Sequence, residues 1–165
     1  MPSDYAIIAF SPEAMSQDPK IEAILAAAQK RAQDLGLPYA GALLPAEAYA
    51  LMQAGARLVD VRTQAELYWV GRIPDAVAVE WNSYPGGALN VDFVRQLSER
   101  VAPEETAMFI CRSGARSHHA AMAATQAGFH HSYNVLEGFE GDKDPQQHRN
   151  STGGWRVAGL PWIQS

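Results

Sequence analysis

The order of apolar and polar positions predicts strands that alternate with helices along most of the chain. Short apolar runs between turn-forming residues predict buried strands near Leu44 and at residues 5–10, 57–61, 76–79, 107–110 and 132–136. Helical spacing of apolar residues is found at residues 45–54, in a helix that Asn90 is expected to cap, and in an alanine-rich segment that ends at Gly128. This alternation is typical of an α/β fold with a mainly parallel sheet and helices on both faces.

A further helix is predicted in an N-terminal extension. Asp18 suits its N-cap, Pro19 suits its first position, and Gly36 suits its end. One face of this helix is apolar and carries Ile21, Ile24, Leu25 and Ala28. The chain therefore divides into an extension of residues 1–41 and a domain of residues 42–165. We expect the extension to pack on its own domain, and the alternative of packing on a second subunit predicts a homodimer.

Composition narrows the class of protein and its partners. Apolar residues make up 47% of the 165 residues and charged residues 19%, which fits a globular domain with its own core. The net charge of −5 does not indicate a nucleic-acid surface. A single cysteine excludes an internal disulfide framework and fits a reducing compartment. The first residues lack a basic stretch followed by an apolar one, so we expect no signal peptide, no membrane span and a cytoplasmic location.

The one cysteine, Cys111, follows an apolar run and precedes a polar loop and a helix. This order predicts a thiol at the carboxyl end of a strand and above the amino end of a helix, where N–H groups and the helix dipole favour an anion. The reactive form of cysteine is the thiolate, and a free thiol with a pKa of about 8.5 is little ionised at neutral pH. Arg112, Arg116 and the bend at Gly114 would stabilise that anion. The alternative is an inert buried cysteine, but the arginines and the loop favour a reactive site.

Several segments, in order, resemble motifs of the single-domain rhodaneses, the thiosulfate-type sulfurtransferases. They are the loop Cys-Arg-Ser-Gly-Ala-Arg-Ser at residues 111–117 and the segments at residues 58–62, 71–76, 133–138 and 158–162. Within residues 71–76, Arg72 replaces the usual His and Asp75 replaces the usual Gly. The resemblance runs from about Ala42 to Trp162 and leaves out the first forty or so residues and residues 141–153. Several motifs in one order are more specific than the cysteine loop alone.

The resemblance implies a rhodanese-like fold and sulfur transfer through a persulfide on Cys111. A donor such as thiosulfate would give its outer sulfur to the thiolate, and a thiol, a protein thiol or cyanide would accept it. The persulfide and the anionic donor would be held by Arg112, Ser113, Gly114, Ala115, Arg116 and Ser117. No cofactor is implied. No metal site is predicted either, because the histidine pairs at residues 118–119 and 130–131 match no zinc-ligand spacing and there is no second cysteine.

Two other functions remain open from the sequence. One is a non-catalytic rhodanese-like module that binds a partner, although Cys111 in a basic loop argues against it. The other is a phosphatase or arsenate reductase of a related type that shares the general fold. In the phosphatase pattern five residues separate the cysteine from the arginine, so the arginine would occupy the position of Ser117. The arginine comes one position earlier, at Arg116, which favours sulfur over phosphate chemistry.

Other charged residues have simpler interpretations than catalysis. Asp60 and Arg62 lie at a strand end, where we expect a supporting ion pair rather than a direct chemical role. Thr63 suits the cap of the following turn, and Glu66 is expected to join the Asp60 network.

A polar, turn-rich segment at residues 139–154 looks longer than the connection that the family usually has at this point. Loops of this length in compact domains are commonly functional or mobile. One interpretation is a wall of the active site, with Lys143 or Arg149 facing an anionic donor. The other is a solvated surface insertion, and the sequence favours neither.

Overall fold

The computed structural model describes residues 18–165, so the strand expected at residues 5–10 lies outside the described chain. In the described part, helices and strands alternate throughout. In chain order they are α1 (Pro19–Leu35), β1 (Gly41–Leu43), α2 (Pro45–Gln53), β2 (Arg57–Asp60), α3 (Gln64–Trp69), β3 (Val77–Ala78), α4 (Phe93–Arg100), β4 (Ala107–Ile110), α5 (Ala115–Gln126) and β5 (Ser132–Val135). Within residues 18–165, no helix has the length and apolar composition needed to cross a bilayer.

The strands form one parallel sheet in the order β1-β5-β4-β2-β3, which places β4 in the middle. Side chains alternate between the two faces of a strand, and both faces of β4 are buried. Met108 and Ile110 pack with residues of α1 and α2, whereas Ala107 and Phe109 pack with residues of α4 and α5. This arrangement confirms the expected α/β fold. It also places the carboxyl end of β4 at the centre of one edge of the sheet.

The ends of α1 are set by the residues that the sequence indicates. The Asp18 side chain accepts a 2.9 Å hydrogen bond from a backbone N–H of the first turn, and Gly36 ends the helix with a left-handed φ of 65°. For α4 the expected cap is wrong, because Asp92 and not Asn90 occupies the N-cap position. The Asn90 side chain accepts a 3.1 Å hydrogen bond from the N–H of Asp92, and this turn delays the start of the helix.

Helix α1 packs on the sheet of its own chain, as expected. Ala28 is fully buried, and a Cβ at Gly41 would lie only 2.9 Å from the Ala28 backbone, so the close approach of α1 to β1 requires glycine. Arg31 donates to both carboxylate oxygens of Glu47 on α2, at 2.6 and 3.0 Å. The division of the chain after residue 41 stays a prediction. In the structure, α1 and the sheet share one apolar core.

Candidate active site

A cavity of about 680 Å³ lies at the carboxyl end of the sheet, with Cys111 in its wall. The other walls come from the loop after β4, from α3, from residues 82–87 and from residues 140 and 149 of the insertion. Ligands of parallel α/β sheets gather at this end, where strands stop and helices begin. The cavity is therefore the candidate active site.

Cys111 lies between the end of β4 and the start of α5. Its sulfur, Sγ, accepts a hydrogen bond from the N–H of Gly114 at 3.1 Å and lies 3.3 Å from the hydroxyl oxygen of Ser117. Gly114 has a φ of 111°, which a residue with a Cβ rarely adopts, so this tight loop requires glycine. Cys111 is only 1% exposed although it lines the cavity. A backbone donor and the amino end of a helix thus both lie beside a thiol in the wall of a cavity.

A buried amide supports the loop from behind, and sequence reasoning missed it. The Ser117 hydroxyl donates to Oδ1 of Asn134 at 2.6 Å, while Nδ2 of Asn134 donates to the carbonyl oxygen of Gly114 at 3.3 Å. Asn134 lies on β5, directly beside β4, and is 3% exposed. The available signal was its place in a buried strand, since a buried amide there requires hydrogen-bond partners.

The two loop arginines have different surroundings. Arg116 donates to both carboxylate oxygens of Glu66, at 2.6 and 2.9 Å, so the expectation that Glu66 joins Asp60 and Arg62 is wrong. The cause is α3, whose first turn is capped by Thr63 and carries Glu66 towards the loop. The hydrogen bond to Glu66 raises the pKa of Arg116, against the effect of burial, and the nearby Cys111 and Asp60 raise it further.

The charge of Arg116 is therefore balanced by a neighbour, and that of Arg112 is not. Arg112 is exposed at the cavity, and its side chain makes no hydrogen bond or ion pair with any other described residue in 18–165. Arg112 thus presents an uncompensated positive charge to an anion in the cavity.

Glu66→Gln is expected to lower the free energy of unfolding by about 1–2 kcal/mol near neutral pH, and the loss should shrink in acid. Burial alone would raise the pKa of Glu66, but the hydrogen bond and charge of Arg116, with hydrogen bonds from Thr63, lower it to about 2 from its ordinary 4.5. The ionised carboxylate thus stabilises the folded protein above pH 4.5, and this contribution disappears as the pH falls from 4.5 towards 2. Urea unfolding of both proteins over this range measures it. Stability curves that stay parallel down to about pH 3 would contradict the assigned pairing.

Asp60 and Arg62 form a buried ion pair beside the site. Nη2 of Arg62 lies 2.7 Å from the Asp60 carboxylate, and it also donates to the carbonyl oxygen of Gly71 at 2.9 Å. The guanidinium carbon lies 4.1 Å from the centre of the Phe139 ring. Neither charged side chain lines the cavity, so the geometry agrees with a supporting pair.

The insertion supplies one wall of the cavity through Glu140 and Arg149, whereas Lys143 is exposed elsewhere. The segment folds back on itself, so that a Cβ at Gly141 would overlap the carbonyl oxygen of Gly153. The N–H of Asn150 donates to the carbonyl oxygen of Glu140 at 2.7 Å. At Arg149 the insertion therefore fits the interpretation as a wall of the active site. At Lys143 it fits the interpretation as a solvated surface segment.

The part of the chain that the structure describes contains no group of three or more His, Cys, Asp or Glu side chains placed to hold a metal ion. One histidine of the two pairs, His118, has a hydrogen-bond partner of its own. Nδ1 of His118 lies 2.7 Å from the Tyr39 hydroxyl, and burial, together with the neighbouring His119, lowers the pKa of His118.

Comparisons with known proteins place this fold in a family. The family model for the rhodanese-like domain matches residues 44–144. An uncharacterized protein of Rickettsia conorii is 38% identical over 107 residues, which cover 64% of this chain and 80% of the relative. The family match confirms the resemblance seen in the sequence.

Solved structures agree with that match. The crystal structure of Rv0390 from M. tuberculosis is 41% identical, has a TM-score of 0.70, and the match covers 77% of this chain and 99% of that chain. The polysulfide-sulfur transferase homodimer from Wolinella succinogenes is 23% identical with a TM-score of 0.53, covering 92% of this chain and 93% of that chain, and this likeness shows the fold. The chain belongs to the rhodanese-like domain family.

Proposed function

We propose that the protein is a sulfurtransferase that carries sulfane sulfur as a persulfide on Cys111. The observation that carries this proposal is the position of the thiol, in the wall of a cavity, beside the Gly114 N–H and the amino end of α5. Thiolate and persulfide are both anionic at sulfur, and these donors favour either anion.

The reaction takes two displacements at sulfur. The Cys111 thiolate attacks the outer sulfur of a donor such as thiosulfate, the sulfur–sulfur bond of the donor breaks, and sulfite leaves with the bonding electrons. A nucleophilic acceptor, such as a thiolate or cyanide, then attacks the terminal sulfur of the persulfide. Cys111 leaves as the thiolate, which restores the resting enzyme.

The loop residues have separate tasks in this proposal. Arg112 attracts the donor anion because its charge is not balanced within the described chain. Arg116, held by Glu66, gives the loop a fixed positive charge close to the sulfur. Ser113 and Ala115 line the cavity on either side of Gly114 and contribute to its shape. Asp60 and Arg62 stabilise the fold beside the cavity without lining it. The lone thiol fits a reducing, cytoplasmic setting.

Treatment of the intact protein with thiosulfate is expected to add one sulfur atom, and cyanide is expected to remove it. Intact-mass spectrometry before and after each reagent measures both steps. Hydrolysis of an aryl phosphate should be negligible, because the loop from Cys111 to Arg116 is one residue shorter than the phosphatase pattern and crowds a tetrahedral phosphate. Phosphatase turnover that depends on Cys111, without any gain of sulfur, would overturn the assignment. No gain of sulfur and no turnover would instead support a binding module.

A further inference from the structure

We propose that the sulfur acceptor is a small organic thiol that carries a carboxylate, and that Arg149 binds this carboxylate. The inference rests on the proposed function, because it names the acceptor that takes sulfur from the Cys111 persulfide. It assigns a role in specificity to a residue outside the cysteine loop.

The size of the cavity is the first observation. Thiosulfate and cyanide are ions of a few atoms, whereas the cavity holds about 680 Å³. Cavities of roughly 300–1,000 Å³ usually enclose ligands of drug-like size. The thiol that reaches Cys111 therefore has room for a carbon skeleton behind its sulfur.

The distribution of charge is the second observation. The whole chain has a net charge of −5, yet the cavity has an excess of arginine. Arg116 is paired with Glu66, and Glu140 lies 3.8 Å from Arg156. Among residues 18–165 this leaves Arg112 and Arg149 in the cavity wall without an acidic partner. A carboxylate on the ligand complements this local positive charge.

Arg149 is held in place before any ligand arrives. Its Nη1 donates to the carbonyl oxygen of Gly141 at 2.8 Å, and the N–H of Gly141 in turn donates to the carbonyl oxygen of Glu137 at 2.9 Å. The other guanidinium donors of Arg149 make no hydrogen bond within the described residues. A guanidinium fixed at one nitrogen keeps donors for the two oxygens of a carboxylate, and little side-chain entropy is lost on binding.

An aromatic wall is the third observation. Trp69 and Tyr84 both line the cavity, although they are 69% and 66% exposed. Large exposed rings at the mouth of a site cover the apolar body of an organic ligand, and a small inorganic anion gains little from them. The cavity thus combines a buried sulfur, an apolar wall and a cationic wall, which together match a carboxylated thiol.

The test compares two small acceptors, 3-mercaptopropionate and 2-mercaptoethanol, with thiosulfate as the donor. The first thiol carries a carboxylate and the second a hydroxyl. Arg149→Gln should lower kcat/KM for 3-mercaptopropionate by about tenfold, mainly through KM, and change that for 2-mercaptoethanol by less than about twofold. Lys143→Gln is the matched control, because it removes the same charge from the same insertion but outside the cavity. Its kcat/KM should equal that of wild type with both acceptors.

The outcomes separate this inference from the proposed function. If wild-type protein gains no sulfur from thiosulfate, the proposed function fails. If Arg149→Gln gains sulfur as wild type does but its kcat/KM falls by the same factor with both thiols, the inference about Arg149 is wrong. It is also wrong if Lys143→Gln lowers kcat/KM for 3-mercaptopropionate as much as Arg149→Gln does. If reduced thioredoxin exceeds 3-mercaptopropionate in kcat/KM by more than about tenfold, and Arg149→Gln leaves this ratio unchanged, the acceptor is a protein thiol and the inference is overturned.

Discussion

Cys111→Ser is expected to keep the fold and to lose sulfur transfer from thiosulfate by at least about a thousandfold. A serine hydroxyl is scarcely ionised at neutral pH and cannot form a persulfide, so no covalent intermediate can accumulate. The fold should survive because serine is close to cysteine in size and can also accept from the N–H of Gly114. Initial rates of thiocyanate formation measure the loss, and circular dichroism checks the fold.

The control for this variant is Ser98→Ala, which removes an exposed hydroxyl of α4 outside the cavity. That variant should retain the wild-type rate. Normal turnover of thiosulfate by the Cys111→Ser protein would exclude a persulfide on this residue.

Asp60→Ala is expected to destabilise the protein by about 3–5 kcal/mol, the largest stability effect that we predict for a single substitution. The change leaves the Arg62 guanidinium buried, 0% exposed, without its carboxylate partner. Its Nη1 already has no hydrogen-bond partner among the described residues. Because small domains are stable by roughly 5–15 kcal/mol, this loss is enough to unfold part of the population at moderate temperature. Urea unfolding gives the value.

A matched comparison separates burial from charge pairing. Asp34→Ala removes a carboxylate from an exposed pair with Lys30, whose side chain is 73% exposed, and should cost less than about 0.5 kcal/mol. The double variant Asp60→Leu/Arg62→Met should recover much of the loss, since it removes both buried charges. If Asp60→Ala and Asp34→Ala lower the free energy of unfolding equally, the buried ion pair stabilises the protein no more than an exposed one.

The sequence predicted local features well because short-range physics determines them. Asp60 and Arg62 are two residues apart, so their pairing follows from strand geometry. The loop at Cys111 follows from an apolar run, a glycine and a helix. Asp75 stands where the resemblance has glycine, and its φ of 67° shows that the backbone there still requires the left-handed conformation, which Asp tolerates better than most residues.

Long-range contacts could not be predicted in the same way. Glu66 and Arg116 are fifty residues apart, and only the packing of α3 beside the loop brings them together. The choice between Lys143 and Arg149 likewise depends on how the insertion folds back at Gly141, which its composition does not determine. The role of Asn134 could not be predicted because the segment around it shows only the pattern of a buried strand.

The hydrogen bonds of Ser117 link its single proton to the charge on the neighbouring sulfur. When Cys111 is a thiol, the 2.6 Å contact assigns the proton of the Ser117 hydroxyl to Oδ1 of Asn134, so Ser117 can only accept from the thiol. A thiolate at Cys111 only accepts hydrogen bonds, and beside its bond from the N–H of Gly114 it competes with Asn134 for this proton. Two buried acceptors thus share one hydroxyl donor, and the charge on the sulfur decides which of them receives it.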